Sequence, residues 1–407
     1  MKPLKKISYQ LGVGCGDLGG NEKRYIADVL KTSRLSYGPY SKRFEEMMAT
    51  LHGCDYGLFV NSGTSALRIA VAALKEAEKW RDNDEIICPA VTFVASSNVI
   101  IMNGLRPVFV DVDPQTYNID PAKIEAAITP KTRAIMVVHL FGQPADMGPI
   151  MKIARARKLK VIEDSCETLF ARYRGKPVGS FGDISCFSTY IAHLIVTGVG
   201  GMACTSNKKY AVIMRSLANH GRDGIYMSMD DDKNLNRREL VQVVSRRFNF
   251  VRMGYSFRAT EMEAALGVAQ LERKDKIVPA RQRIAKQLIE GLKPFERFLQ
   301  LPTWPSHADH VFMVFPLMVR PGSGIRKKDL VMFLEEHNIE TRDLVPLISQ
   351  PIYKKLYGNI ESRYPVARSI NRNGFYIGCH QKITQRELSY ILAVFRAFFE
   401  KAKIRLD

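Results

Sequence analysis

No two of the seven cysteines stand in C-x-x-C spacing, no apolar run is long enough to span a bilayer, and acidic residues number 41 against 60 basic ones. The first absence excludes the common structural zinc sites and thioredoxin-type motifs, and no metal site is expected. Cys15, Cys54, Cys88, Cys166, Cys186, Cys204 and Cys379 are scattered, and an odd, scattered set without a secretion signal reads as reduced thiols. The second absence excludes a membrane-spanning helix. The opening Met1–Lys6 is basic, but Tyr9, Gln10 and Gly12 follow too soon for a signal-peptide core, so the chain is expected in the cytoplasm. The third leaves a formal charge of +19. That charge fits a solvated basic surface, or a field that steers an anionic small molecule. Nucleic acid is not an expected partner: the Lys and Arg residues are spread along the chain, without zinc-knuckle, helix-turn-helix or aromatic RNA-binding patterns.

What is present is an ordinary globular composition over 407 residues, enough for two or more domains. Tyr56–Val60 reads as a buried strand, followed by Asn61-Ser62-Gly63-Thr64-Ser65 and a helical pattern from Ala66 towards Trp80. Further strands are predicted at Glu85–Cys88, Pro107–Val112, Ala134–Val138, Lys160–Glu163 and Ile184–Ser188, with helices between them, among them Pro121–Ile128 and Met147–Lys158. This alternation predicts an α/β fold with a large, mostly parallel sheet, whose ligands bind at the carboxyl ends of the strands. Residues 224–247 break the rhythm, and Met229-Asp230-Asp231-Asp232-Lys233 within them is predicted as a polar loop. One long helix, Thr260–Leu292, is expected to lead into a smaller α+β part with a strand at Val311–Val319 and helices at Lys327–His337 and Gln385–Lys401. The expected division is a large domain over 1–275 and a small one over 276–407.

Three strand ends carry candidate chemistry. At Asn61–Ser65, Gly63 permits close approach of a ligand to the backbone, and the helix start offers free N–H groups and a positive dipole end. The segment is either a phosphate cup or an ordinary Ser/Thr helix cap. Asp164, closing Val161-Ile162-Glu163-Asp164-Ser165, is either a capping acid or a carboxylate that pairs with a protonated ring nitrogen. Phe93 follows another strand and is either core or a platform for a flat ring.

These pieces occur in one order, with Ser36-Tyr37-Gly38-Pro39 before them and Val108–Pro114, Gly179–Asp183, Asp183–Ser188, Asn219–Arg222, Gly254–Arg258 and Ile339–Arg342 among and after them. In this set the chain resembles the DegT/DnrJ/StrS sugar aminotransferase family of fold type I pyridoxal phosphate enzymes, over nearly its whole length. The resemblance implies that Gly63, Thr64, Ser65 and Ser188 hold the cofactor phosphate, that Phe93 covers the ring and that Asp164 pairs with the pyridine nitrogen. Glu167 stands where the family usually has Gln, near the ring hydroxyl. Ser256 stands where most members have an Asn that reaches the phosphate in the partner subunit. A homodimer with shared active sites is therefore also implied.

One position departs from the family pattern in a way that changes the expected reaction. In the family a lysine follows the Phe-Ser pair and precedes a glycine-rich turn; in Phe187-Ser188-Thr189-Tyr190-Ile191-Ala192-His193 that place is taken by His193. An imidazole cannot hold an aldehyde cofactor covalently, but it transfers protons near neutral pH. The combination resembles the family's lysine-less branch, the 3-dehydratases of nucleotide-linked 4-keto-6-deoxyhexoses in 3,6-dideoxysugar biosynthesis. The resemblance implies pyridoxal or pyridoxamine phosphate as cofactor, a nucleotide sugar as substrate, glutamate as amino donor and ammonia as by-product. No iron–sulfur cluster is expected, since no cysteine lies between Cys204 and Cys379. His220 and Arg342 are candidates for contacts to sugar or donor, and Arg246–Arg252 is either a diphosphate contact or a solvated basic stretch. A nucleotide-sugar aminotransferase and a non-catalytic cofactor-binding homologue are the competing readings.

Overall fold

The computed structural model describes residues 6–223, 236–246 and 248–406. Helices α1 (Gly20–Thr32) and α2 (Pro39–Leu51) precede a seven-stranded sheet. Strands β1 (Tyr56–Val60), β2 (Glu85–Pro89), β3 (Arg106–Val110), β4 (Thr132–Val138) and β5 (Lys160–Asp164) alternate with α3 (Gly63–Ala77), α4 (Val94–Met102) and α5 (Met147–Arg157). After a small hairpin of β6 (Arg172–Tyr173) and β7 (Lys176–Pro177) come β8 (Ile184–Ser188) and β9 (Gly201–Thr205). The order is β1-β9-β8-β5-β4-β2-β3. All neighbours pair parallel except at β9, which runs antiparallel to both β8 and β1. Strands β2, β8 and β9 are buried along their whole length, as a sheet covered on both faces requires. The parallel majority brings the carboxyl ends of β1, β4, β5 and β8 to one edge, where the candidate residues lie.

Helices α6 (Lys208–Ala218), α7 (Arg237–Arg246), α8 (Glu261–Leu271) and α9 (Lys274–Leu292) lead to a second, antiparallel sheet. Its strands β10 (Leu299–Gln300), β11 (Val314–Val319), β12 (Thr341–Asp343) and β13 (Gly374–Gly378) lie in the order β10-β11-β13-β12. Around it stand α10 (Lys327–Glu336), α11 (Pro351–Tyr357), α12 (Pro365–Asn373) and α13 (Gln385–Leu406). The core beneath this sheet includes a stack of Phe295, Phe298 and Phe399, and it also takes in Ile7 and Leu11 from the start of the chain. Residue 275, where the sequence divides into two expected parts, sits in the first turn of α9. Among the described residues no helix is long and apolar enough to cross a membrane.

Two local expectations need correction, and two elements were not expected. The single helix Thr260–Leu292 is two, broken at Glu272-Arg273 by tertiary contacts and not by Gly or Pro: Arg273 pairs with Asp17 and Glu22, and Glu272 accepts from Tyr25, Arg43 and Asn21. Pro121–Ile128 forms two 3₁₀ turns; the segment is short, and Pro130 disfavours helical geometry at Thr129. The predicted loop Met229–Lys233 lies outside the described residues, as do the rest of 224–235 and residue 247; after it Arg237–Arg246 forms a helix that was not predicted. Asn236 and Glu239 cap that helix reciprocally, each side chain accepting the other's backbone N–H at 3.0 Å. Strand β9 went unpredicted, because Gly201-Met202-Ala203-Cys204-Thr205 lacks the β-branched runs of its neighbours.

Two core histidines make the fold acid-sensitive. His52 lies against Phe187 with ring centroids 4.0 Å apart, and His310 stacks on Phe312 at 3.8 Å. Burial lowers their pKa values, to about 4 and about 3 respectively. Below the ordinary value near 6.5 the unfolded chain takes protons that the folded chain refuses, so stability falls as pH drops from about 6.5 towards 4. For His52 the loss by pH 4 is on the order of 3 kcal/mol. Urea unfolding between pH 7 and pH 4.5 should show this decline, and His52→Asn, though less stable at pH 7, should show a shallower one. Equal slopes in the two proteins would contradict the assignment.

Candidate active site

A cavity of about 370 Å³ opens at the carboxyl edge of the seven-stranded sheet. Gly63, Thr64, Phe93, Asp164, Glu167, Ser188 and His193 all line it, together with Tyr190, Met313, Val345 and Tyr376. Strand β1 delivers the first two through the turn into α3. Ser62 caps that helix, its hydroxyl accepting the Ser65 N–H at 3.0 Å, and this leaves the amides of Gly63 and Thr64 among the orphan donors of the first turn. Gly63 has no room for a side chain: a Cβ would stand 2.8 Å from both Cys166 Sγ and Ser188 Cβ. The result is a small cradle of N–H groups at a helix start, suited to an anion.

Across the cavity, Asp164 ends β5 and is almost fully buried. Its Oδ2 accepts from Ser96 Oγ at 2.6 Å and its Oδ1 from the Cys166 amide at 3.2 Å. Burial raises the pKa of this carboxyl, and those hydrogen bonds pull against the shift without cancelling it. A cation in the cavity would offset the penalty. The neighbouring Glu163 shows the opposite balance. Burial opposes its charge, but the His139 ring and the amides of Gly182 and Gly179 outweigh burial and hold its pKa below the usual carboxylate range. His139 Nδ1 accepts from the Ala145 amide at 2.9 Å, so Nε2 carries the proton and donates to Glu163 at 3.2 Å. This knot joins the ends of β4 and β5 and fixes the strand end from which Asp164 projects. Glu167 accepts from the Phe141 amide at 2.9 Å, and burial pushes its pKa up to about 7, with the nearby Asp164 adding to the rise. Phe93 is 58% exposed, so core packing does not explain it. A flat cationic ring carrying a phosphate matches this set of groups: an anion cradle, an open aromatic face and a buried acid short of a positive partner.

His193 stands in the turn between β8 and β9, its backbone N–H donating to Tyr190 O at 2.9 Å. Burial, reinforced by the positive charge of Arg281, lowers its pKa to about 4 and keeps it neutral at pH 7. Its Nδ1 is buried and has no hydrogen-bond partner among the described residues. No second group therefore fixes the tautomer, and either ring nitrogen is free to carry the proton. The start of the chain presses on this turn: a Cβ on Gly14 would stand 2.5 Å from Ala192 Cα.

The other expected residues lie elsewhere. Ser65 does not line the cavity; its hydroxyl is committed behind the cup, donating to Asn61 Oδ1 at 2.7 Å and receiving Ser62 Oγ at 2.9 Å. Ser256 lines a second cavity of about 300 Å³ with Tyr37, Arg215 and Arg258. Arg258 Nη2 stands 3.4 Å from both Ser256 Oγ and His220 Nε2. Arg342 is on β12 opposite Tyr376 of β13, pairing with Glu340 and donating to Thr341 O at 2.9 Å. In the basic stretch 246–252, Arg246 pairs with Asp223 and Arg252 with Glu76, so these two cations are already engaged, while Arg247 lies outside the described residues. Ser96, Tyr190 and Tyr376 were not singled out from the sequence. Only the spacing of Tyr190, three residues before His193, offered a signal.

Gly14→Ala should move the His193 turn, because the contact it creates is with backbone. Overpacking of this kind costs about 1–3 kcal/mol. Gly20→Ala, where nothing lies within 4 Å, should change stability by less than about 0.5 kcal/mol. Urea unfolding of the two variants checks the difference, and equal midpoints would show that the turn yields freely.

Comparison with known proteins places this geometry. GDP-perosamine synthase of Caulobacter vibrioides is 33% identical over 395 residues, covering 97% of this chain and 98% of that protein. The structure of E. coli GDP-4-keto-6-deoxy-D-mannose-3-dehydratase with bound hydrated PLP (pyridoxal phosphate) superposes with a TM-score of 0.85 at 27% identity, covering 95% of this chain and 99% of that one. A GDP-4-keto-6-deoxymannose-3-dehydratase with a trapped PLP-glutamate geminal diamine gives the same TM-score and identity over 94% and 99%. The sequence model of the DegT/DnrJ/EryC1/StrS aminotransferase family matches residues 17–396, and the chain belongs to that family.

Proposed function

We propose that this chain removes the C3 hydroxyl from a nucleotide-linked 4-keto-6-deoxyhexose, using pyridoxal or pyridoxamine phosphate, consuming an amino donor and releasing ammonia. One observation carries the reading. Among the described residues lining the cavity there is no lysine, and His193 occupies the turn after β8. The solved 3-dehydratases with PLP bound support the cofactor and the reaction, and the one holding glutamate supports glutamate as donor.

In this proposal the Gly63 and Thr64 amides, with the hydroxyls of Thr64 and Ser188, bind the phosphate. Phe93 lies against the ring, Asp164 pairs with its nitrogen and Glu167 faces the ring hydroxyl. When bound, the cofactor supplies an electron sink that makes a carbon-bound proton removable. His193, neutral because burial and Arg281 disfavour its charge, takes that proton at C4′ and returns it to the departing sugar hydroxyl. A positioned base of this kind is worth about 10²–10⁴ in rate. Ser256 and His220 belong to the proposal through a second copy of the chain: they do not line this chain's own cavity, and a homodimer would carry them to the partner's. Arg342 is kept as a substrate contact at the rim beside Tyr376. The seven unpaired cysteines support a cytoplasmic setting.

The test incubates the protein with pyridoxal phosphate, glutamate and a panel of nucleotide 4-keto-6-deoxyhexoses. Ammonia and a deoxygenated sugar are expected; an amino sugar would instead assign the activity of the perosamine synthase relative. His193→Asn should bind cofactor with unchanged affinity and lose about 10²–10⁴ of turnover. His193→Lys should capture the cofactor covalently, in a form fixed by borohydride, and shift the product towards the amino sugar. Wild-type turnover in His193→Asn would remove the histidine from the mechanism.

A further inference from the structure

Arg281, on α9, is among the largest fully buried side chains of the protein. A buried guanidinium normally faces a carboxylate. Among the described residues Arg281 makes no ion pair, and all its hydrogen bonds go to neutral oxygens. Nη1 donates to Met313 O at 2.8 Å and to Phe312 O and Cys379 O at 3.2 Å, and Nε donates to Gln381 Oε1 at 3.1 Å. Nη2 donates to His193 O at 3.4 Å. The nearest carboxylate in this chain of contacts, Asp17, is reached only through Gln381 Nε2 at 3.5 Å. Burial lowers the pKa of Arg281 itself, with the Cys379 and Cys15 thiols the groups acting against that shift. An apolar side chain of similar volume would fill the same space without desolvating a charge.

The carbonyls name what the fork joins. Phe312 and Met313 lead into β11, Cys379 and Gln381 follow β13, and His193 belongs to the turn at the edge of the large sheet. One planar group thus ties the end of the small sheet to the turn that carries the imidazole, while Gly14 bears on the same turn at Ala192. We propose that Arg281 is a positioning residue, holding the His193 turn by its carbonyl against the end of the second sheet and setting a positive charge behind the imidazole. The inference rests on His193 as the proton carrier. The charge acts in the useful direction: it adds to burial in disfavouring the imidazolium, so the ring meets its substrate as a base. The other titratable groups around the imidazole are Tyr190 in its own turn, Asp164, Cys166 and Glu167 across the cavity, and Tyr376 from β13, with His380 beyond Arg281.

Arg281→Met and Arg281→Lys separate the fork from the charge. In the apo-protein, histidine ring NMR, with the His193 signal assigned through His193→Asn, should show His193 titrating upward by about one pH unit in Arg281→Met. In Arg281→Lys, which keeps a cation but loses the fork, the His193 titration should stay low. Both variants should lose kcat by about 10- to 100-fold with little change in KM or cofactor affinity, as displacement of a reacting group predicts. The acid limb of the Arg281→Met rate profile should move to higher pH with the NMR titration. Wild-type kcat in Arg281→Lys overturns the positioning role, and an unmoved His193 titration in a folded Arg281→Met overturns the electrostatic one. If Arg281→Met does not fold, the lysine variant still decides, through its kcat-to-KM split. Failure of the function itself reads differently: the wild-type protein would then give an amino sugar or no deoxygenated product, whatever the Arg281 variants do.

Discussion

A carboxylate taken out of water at the end of β5 sets the terms for the surrounding structure. Asp164 is held by Ser96 and the Cys166 amide, but those bonds do not cancel the penalty of burial. The strand end that carries it is fixed by a different acid, Glu163, which accepts from three amides and the His139 ring. Two consecutive carboxylates thus play opposite parts. Glu163 is satisfied and makes the scaffold rigid; Asp164 is left short of a positive charge and faces the cavity.

The remaining groups follow from the same edge of the sheet. Because β1, β4, β5 and β8 run in one direction, an anion cradle, an acid and a hydroxyl emerge together, and the turn after β8 brings an imidazole to them. Inside that turn Thr197 bonds back to Thr189 and Tyr190 bridges to Gly198. It is also held from outside, by close backbone contact with Gly14 and by the Arg281 fork. Where a lysine in this place would be tethered through a covalent bond to its cofactor, a histidine depends on how its surroundings aim it. In the proposed reaction, the elements around the turn are what place the imidazole.

The charges around the cavity are graded by burial. Glu167 sits near neutrality and His193 far below its ordinary value, although both line the same space. Burial accounts for both directions, since it favours the neutral form of each group and so raises the acid and lowers the base. Asp164 adds negative charge beside Glu167 and Arg281 adds positive charge behind His193, each reinforcing the shift that burial begins. Both groups are thereby held towards their neutral forms, the histidine as a base and the glutamate as an acid.

The amino-acid sequence by itself determined the alternating β and α elements, the cup at Asn61–Ser65, Asp164 at a strand end and the histidine in place of lysine, because each is written in a few adjacent residues. Hydrophobic runs, turn glycines and a helix cap act over short distances. Even the missed helix Arg237–Arg246 carried a local signal, in the reciprocal cap of Asn236 and Glu239. Only the tertiary structure decided that Ser65 turns its hydroxyl to Asn61, that the helix expected from Thr260 breaks at Arg273, and that Arg281 reaches the carbonyl of a residue 88 positions away. These outcomes depend on which polar groups meet after the chain has closed on itself, and burial gives those meetings their weight. No spacing along the chain encodes them.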